Sequence, residues 1–231
     1  MKKMTKMLLV LVVMVIAISS CFAFVACKNT DYLYVATNAT FAPFEYKENG
    51  KVVGFDIDFA DALAKEMGYK GVKIKDMEFN SVILSVQKGQ CDCGIAGLTV
   101  NPERLEQIDF TQTYFVAAQN MLYKGAQQNF ASKEAAYKFM EGKKVAVPMG
   151  YTADGMMKAH IENADGLLYG KGTKIEAYTD GAMAVAALAS GVVDVVVIDN
   201  APAKKLAAMY ADKGVVVDTN ALNDKEEYAI G

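Results

Sequence analysis

From Tyr32 onward, short runs of β-branched and aromatic residues alternate with amphipathic stretches at helical spacing, which leaves few folds open. Strand, helix and strand in succession pack as a mostly parallel sheet with crossover helices, so the chain is expected to be α/β. Strands are expected at 32–37, 72–75, 91–96, 145–147, 175–178, 193–198 and 215–217. Helices are expected at 56–67, 80–88, 102–107, 133–141, 152–162, 182–190 and 202–210. The first helix carries a stripe of Phe59, Leu63 and Met67 with Ala60 and Ala64 beside it, and Gly68 can end it. Residues 192–198 are apolar on both parities except Asp194, the mark of a central strand covered on both faces. The extended segment 114–123 runs into a polar stretch, 124–129, where a crossing between two lobes is placed. A chain of 231 residues is long enough for two such lobes. It closes on Glu226 to Gly231, which read as the opening of another strand.

Ahead of this region, Lys2, Lys3 and Lys6 precede an almost unbroken apolar run from Met7 to Ala26, the layout of a signal peptide. Two cysteines follow small residues, Cys21 and Cys27, and both sites resemble the lipobox of bacterial lipoproteins. Cys27 is favoured, because Lys28-Asn29-Thr30-Asp31 then begins a polar tether, whereas cleavage at Cys21 leaves an apolar stub. An uncleaved anchor is the alternative, since the run approaches the ~20 residues that span a bilayer. Each reading places the remainder outside the cytoplasm. Removing three of the 24 basic residues leaves 21 against 27 acidic, a net charge of −6, which argues against nucleic acid as a partner.

Cys91 and Cys93 stand two apart, too close for an unstrained bridge, and a zinc site would need further ligands. His160 is the only histidine and falls in an expected helix away from the motifs, which argues against a histidine-based catalytic triad, and the two cysteines read as small buried strand residues.

Four features carry chemistry. In Asn101-Pro102-Glu103-Arg104, asparagine suits an N-cap and proline the first turn, which puts Arg104 where a cation opposes the helix dipole. That placement makes sense if an anion sits against the guanidinium, which holds a carboxylate by a bidentate fork. An exposed Arg104 paired with Asp109 explains the position equally well. Asp199 directly follows a buried strand, at the end of the sheet where ligands of open α/β folds bind, and an ammonium would pair it. It could instead cap the helix that begins near Pro202. Pro148-Met149-Gly150-Tyr151-Thr152 turns from a strand into a helix and offers backbone amides to an anion, as many ordinary turns do. Phe41, Phe44, Tyr46 and Phe79 are core aromatics or pocket walls. One fixed cation, one fixed anion and apolar walls complement a zwitterion with a side chain.

The resemblance then becomes specific. Val35 to Tyr46 (VATNATFAPFEY), Gly54-Phe55-Asp56-Ile57-Asp58, Ala96-Gly97-Leu98-Thr99 with Glu103-Arg104, and Ile108-Asp109-Phe110-Thr111 are similar to the family 3 bacterial solute-binding proteins. These are the polar amino-acid receptors of ABC importers, and the similarity runs over about residues 32–230. It implies a two-lobed, type II periplasmic-binding-protein-like α/β fold, with mixed, mostly parallel sheets and a two-strand hinge. The implied organisation is a signal peptide over 1–27, a first lobe over 28–118, a second over 119–225, and a return hinge strand beginning at 226–231. Helices that finish the first lobe would lie beyond residue 231, so the sequence is expected to be a piece of a longer chain. Arg104 and Thr99, with help from Thr152 and the Gly150 turn, are implied to hold the α-carboxylate. Asp199 and the Gly97 carbonyl, next to Ala96, are implied to hold the α-ammonium, and Phe41 and Phe79 to flank the side chain. The implied partners are a free amino acid, an ABC permease and, through the lipid anchor, the membrane. The protein is expected to work as a monomer, without cofactor or metal.

Receptors of this family that prefer lysine or arginine resemble one another in carrying an acid in the pocket, often where Asn38 stands here. Asparagine cannot neutralise a buried ammonium, so a neutral polar ligand such as glutamine or cystine is expected. Asp56-Ile57-Asp58 also invites a metal reading, although a helix-opening acidic pair explains it more simply. A small-acid dehydratase on the same fold and a ligand-sensing ectodomain are the rival functions.

Overall fold

Strand β1 (Leu33–Thr37) forms the middle of a parallel three-stranded sheet, between β5 (Val72–Asp76) and β6 (Cys93–Gly94). These elements come from a computed structural model that describes residues 30–218, 222 and 225–231. The apolar N-terminal run with Cys21 and Cys27 lies outside the described residues. Helix α1 (Phe55–Glu66) lays Ala60, Ala64, Phe59 and Leu63 on Leu33, Val35 and Ile95, the stripe that its spacing predicts. Helix α2 (Phe79–Gln87) also belongs to this first lobe.

Two expectations need correction here. The strand expected at 91–96 is confined to Cys93–Gly94, because the chain bends away to form the loop that begins at Ala96. Cys91 is therefore buried but outside the strand, and Cys93 is only half-buried; neither is in a disulfide. A small antiparallel sheet was not expected at all: β2 (Thr40–Phe41), β3 (Glu45–Glu48) and β4 (Lys51–Val53). Its signal is the Asn49-Gly50 turn, which suits a two-residue hairpin, between strands too short and too polar to stand out.

The second lobe is built on a six-stranded sheet. β7 (Phe115–Lys124) runs antiparallel to β10 (Val195–Asp199) and β11 (Val215–Asp218), while β8 (Lys144–Pro148) lies parallel between β10 and β9 (Lys174–Tyr178). Helix α4 (Lys133–Met140) and α5 (Thr152–Glu162) cover one face, where Val195 and Val197 meet Met140 and Met157. Helix α6 (Gly181–Ser190) and α7 (Asn200–Met209) cover the other, where Val196 and Ile198 meet Leu188 and Ala203. All five residues of β10 are buried, as a strand apolar on both parities requires.

β7 also joins the lobes, so the crossing lies inside this strand and not in the polar stretch 124–129 where it was expected, which packs on the second lobe. Its first four residues pair antiparallel with β12 (Lys225–Tyr228), from Phe115 opposite Tyr228 to Ala118 opposite Lys225, and the rest of it enters the second sheet. Past β12 the backbone turns to the first lobe: the Ala229 amide donates to the Leu98 carbonyl at 3.0 Å, and Gly94 and Gly231 exchange bonds of 2.7 and 3.1 Å. This is the two-strand hinge. No helix among the described residues is long and apolar enough to cross a membrane.

Candidate functional site

The first pole of the site is Arg104, on the one-turn helix α3 (Pro102–Leu105). Asn101 caps it as its residue type predicts: the Asn101 Oδ1 accepts from the Arg104 amide at 2.8 Å. The side chain is buried rather than paired with Asp109, 7% exposed, so the alternative of a surface arginine falls. Its Nη1 donates to the Thr99 carbonyl at 2.8 Å and its Nη2 reaches across to the Gly150 carbonyl in the second lobe at 3.2 Å. The guanidinium also lies 5.2 Å from the Phe79 ring centre. Burial lowers its pKa, against the opposing pull of the Asp199 and Glu226 carboxylates.

The second pole is Asp199, the last residue of β10. It precedes α7, yet its side chain makes no capping bond, so the alternative reading of a helix cap falls too. The Tyr228 hydroxyl donates to its Oδ1 at 2.5 Å instead. Burial, then the nearby Glu226 carboxylate, pushes its pKa up to about 7. Glu226 is itself buried in the seam, where it accepts from Gln119 at 2.5 Å and from the Thr99 hydroxyl at 2.7 Å. The seam is thus short of positive charge: Arg104 faces two carboxylates at close quarters.

Both poles line a single gap between the lobes. Its walls are Phe41, Phe79, Ala96, Gly97, Thr99, Arg104, Tyr151, Thr152 and Asp199, and about 10 Å³ of it is open. Thr152 donates to the Thr99 hydroxyl at 3.0 Å and so ties one lobe to the other. Gly97 and Gly150 are required by close approach. A Cβ at Gly97, whose φ is +53°, would stand 2.8 Å from the Phe41 ring, and one at Gly150 would collide with the Asn80 side chain. Asn38 is buried at the edge of the gap; its Nδ2 donates to the Met77 carbonyl at 2.8 Å, and its Oδ1 accepts from Thr40 and Tyr151 at 2.8 and 3.0 Å. Every residue expected to touch the amino acid therefore lies in or beside one interlobe gap, whereas Phe44 packs in the core and the Tyr46 ring lies under Lys205. Asp56 also belongs to the seam, where its Oδ2 accepts from the Gly97 amide and the Tyr114 hydroxyl, each at 2.9 Å, while Asp58 is exposed. Among the described residues no cluster of histidine, cysteine or carboxylate could hold a metal ion.

The sequence model of the bacterial extracellular solute-binding proteins, family 3, matches residues 33–165, more than half of the chain. The chain belongs to this family. Among its family 3 relatives, the arginine-binding extracellular protein ArtP of Bacillus subtilis is 37% identical over 155 residues, 64% of this chain and 57% of that one. The chain thus spans well under two thirds of that relative's length. Two solved structures of an ancestral arginine-binding protein share its two-lobed fold. One, bound to arginine, is 37% identical with a TM-score of 0.76, covering 87% of this chain and 83% of that one. The other, bound to glutamine, is 36% identical with a TM-score of 0.74, covering 88% and 84%.

Three residues of this candidate site carry no clear signal in the sequence. Glu226 sits in Lys225-Glu226-Glu227, which looks like a solvated charge run. Only strand alternation, which puts Glu226 on the same face as the buried Tyr228, could have pointed inward. Tyr151 stood in the turn already singled out, but nothing local says that its ring enters the gap. Tyr228 pairs with Asp199 over 29 positions, a contact no local pattern encodes.

Proposed function

We propose that this chain is the ligand-capturing part of an amino-acid ABC importer, which closes two lobes around one free amino acid and presents it to a permease. The observation that carries this reading is the opposition of Arg104 and Asp199 across one gap with aromatic walls. A guanidinium at one end and a carboxylate at the other match the two charges of a zwitterion. Contacts to both lobes favour the closed form, which gives a permease a state to recognise. Arg104 and Thr99, with Thr152 and the Gly150 turn, hold the α-carboxylate; Asp199 and the Gly97 carbonyl hold the α-ammonium. The chain works as an exported monomer tethered through a lipid on Cys27, or on Cys21, and it catalyses no reaction.

For the ligand, a neutral polar amino acid such as glutamine or cystine fits best. Among the described residues that line the gap, Asp199 is the only acid and is committed to the α-ammonium, and Asn38 beyond it carries no charge. Arginine is the competitor that the relatives raise. Isothermal calorimetry of the purified chain across the common amino acids tests both levels. Tightest binding of a neutral polar amino acid is expected. Tightest binding of arginine or lysine would overturn the ligand class, and no binding of any amino acid would overturn the receptor function.

A further inference from the structure

Tyr151 packs between Phe41 and Phe79, the two aromatic walls that the proposed function gives to the ligand's side chain. It belongs to the second lobe, at the start of α5, whereas Phe41 and Phe79 belong to the first. Its ring lies 4.4 Å from the Phe79 ring centre and 5.4 Å from that of Phe41, edge-on to the latter, so it fills the space between the two walls. It is 5% exposed, and its hydroxyl is held by the Asn38 Oδ1 across the lobe boundary. With the ring in place the gap between Arg104 and Asp199 is about 10 Å³, room for roughly one water. Tyr151 also borders a second cavity, of about 660 Å³, shared by Phe79, Asn80, Arg104 and Asp154 on the outer side of the guanidinium. A tyrosine ring that rotates out of the gap has space there.

We infer that Tyr151 sets which side chains this site accepts, by occupying the side-chain compartment between Phe41 and Phe79 as a plug that a bulky ligand must push into the outer cavity. The inference rests on the amino-acid reading of the site and adds a chain-built selectivity element to it. A ligand without a side chain needs the lobes to part enough to widen the gap between Arg104 and Asp199, but does not compete for the space between Phe41 and Phe79 that the ring fills. One with a long side chain gives up the ring's two aromatic contacts and its hydrogen bond to Asn38, and its affinity falls accordingly.

The test is calorimetry of glycine and of L-glutamine against the wild-type chain, Tyr151→Ala and Tyr151→Phe. Removing the ring is expected to tighten glutamine about tenfold or more and to move glycine by less than about threefold. Tyr151→Phe, which keeps the ring but loses the hydrogen bond to Asn38, is expected to shift the ratio of the two affinities in the same direction but by less than Tyr151→Ala. Should Tyr151→Ala fail to fold by circular dichroism, Tyr151→Val carries the same comparison. Weaker glutamine binding in the truncated variant, or an equal shift for both ligands, would overturn the plug and leave the receptor reading intact. If neither ligand binds any of these proteins, the plug falls together with the neutral-ligand class, and only the calorimetry across all the common amino acids bears on the receptor reading beneath them.

Discussion

On the face of the second-lobe sheet turned toward α4 and α5, Met121, Met140, Val145, Met157, Val195 and Val197 are fully buried among methionine, valine and aromatic neighbours. At the seam between the lobes, Glu45, Asp56, Arg104, Asp199 and Glu226 are buried almost as deeply. Removing apolar surface from water gains about 25 cal/mol per Å², whereas removing a charge costs several kcal/mol unless a partner is supplied. The first region is therefore built for stability and the second is not. Glu45 shows the strain most clearly: burial first, then the charge of Asp56, holds its carboxyl well above the usual carboxylate range. Carboxylates outnumber cations at the seam; a zwitterion leaves that net charge unchanged, but its ammonium would give Asp199 a partner while its carboxylate gives Arg104 one. The contrast teaches where to look for function: the packed face explains why the lobe exists, and the charged seam explains what it is for.

Substitutions should split along the same line. Arg104→Ala is expected to weaken amino-acid binding by about 2–5 kcal/mol, because a buried ligand carboxylate is left without its partner. An unchanged dissociation constant by calorimetry would remove Arg104 from the site. Met157→Ala on the packed face is expected to cost about 2–5 kcal/mol of stability in urea unfolding and to leave affinity within about threefold. A large loss of affinity with little loss of stability would break the comparison.

Acidity sharpens it further. Asp199 is held at about 7 against an ordinary value of 3.8, so the folded chain keeps a proton there that the unfolded chain has lost. Its contribution to stability therefore decreases as pH rises from about 4 to about 7. Ligand affinity runs the opposite way, since an α-ammonium needs the ionised carboxylate. The dissociation constant is expected to rise about tenfold per unit as pH falls below about 7, and Asp199→Asn to flatten that profile. Titrations between about pH 5 and 8 read this directly, and a flat wild-type profile would separate Asp199 from the ligand.

Much of the molecule was legible before any coordinates. Helical stripes and doubly apolar strands report burial through spacing alone, which is why α1 and β10 fall where their periodicity puts them. Arg104 was legible because the Asn101-Pro102 cap fixes it in a first turn, an odd place for a cation. Asp199 was legible because it ends a strand with no polar residue inside it. The hairpin of β2, β3 and β4 was not, since its strands are short and its residues mostly polar, and the turn dipeptide carried the only signal. Glu226 and Tyr228 were not either, because burial there depends on a strand returning about a hundred residues after the segment it pairs with.

Whether Arg104 and Asp199 hold opposite ends of one molecule can be decided by calorimetry with three ligands. L-glutamine is compared with an analogue lacking the α-ammonium and one lacking the α-carboxylate, each on the wild-type, Arg104→Ala and Asp199→Asn chains. The wild type is expected to bind either analogue about a hundredfold more weakly than glutamine. Arg104→Ala should no longer distinguish glutamine from the carboxylate-free analogue, and Asp199→Asn should no longer distinguish it from the ammonium-free one. If a variant still rejects the analogue whose missing group its own missing side chain would have held, the two residues do not share a ligand.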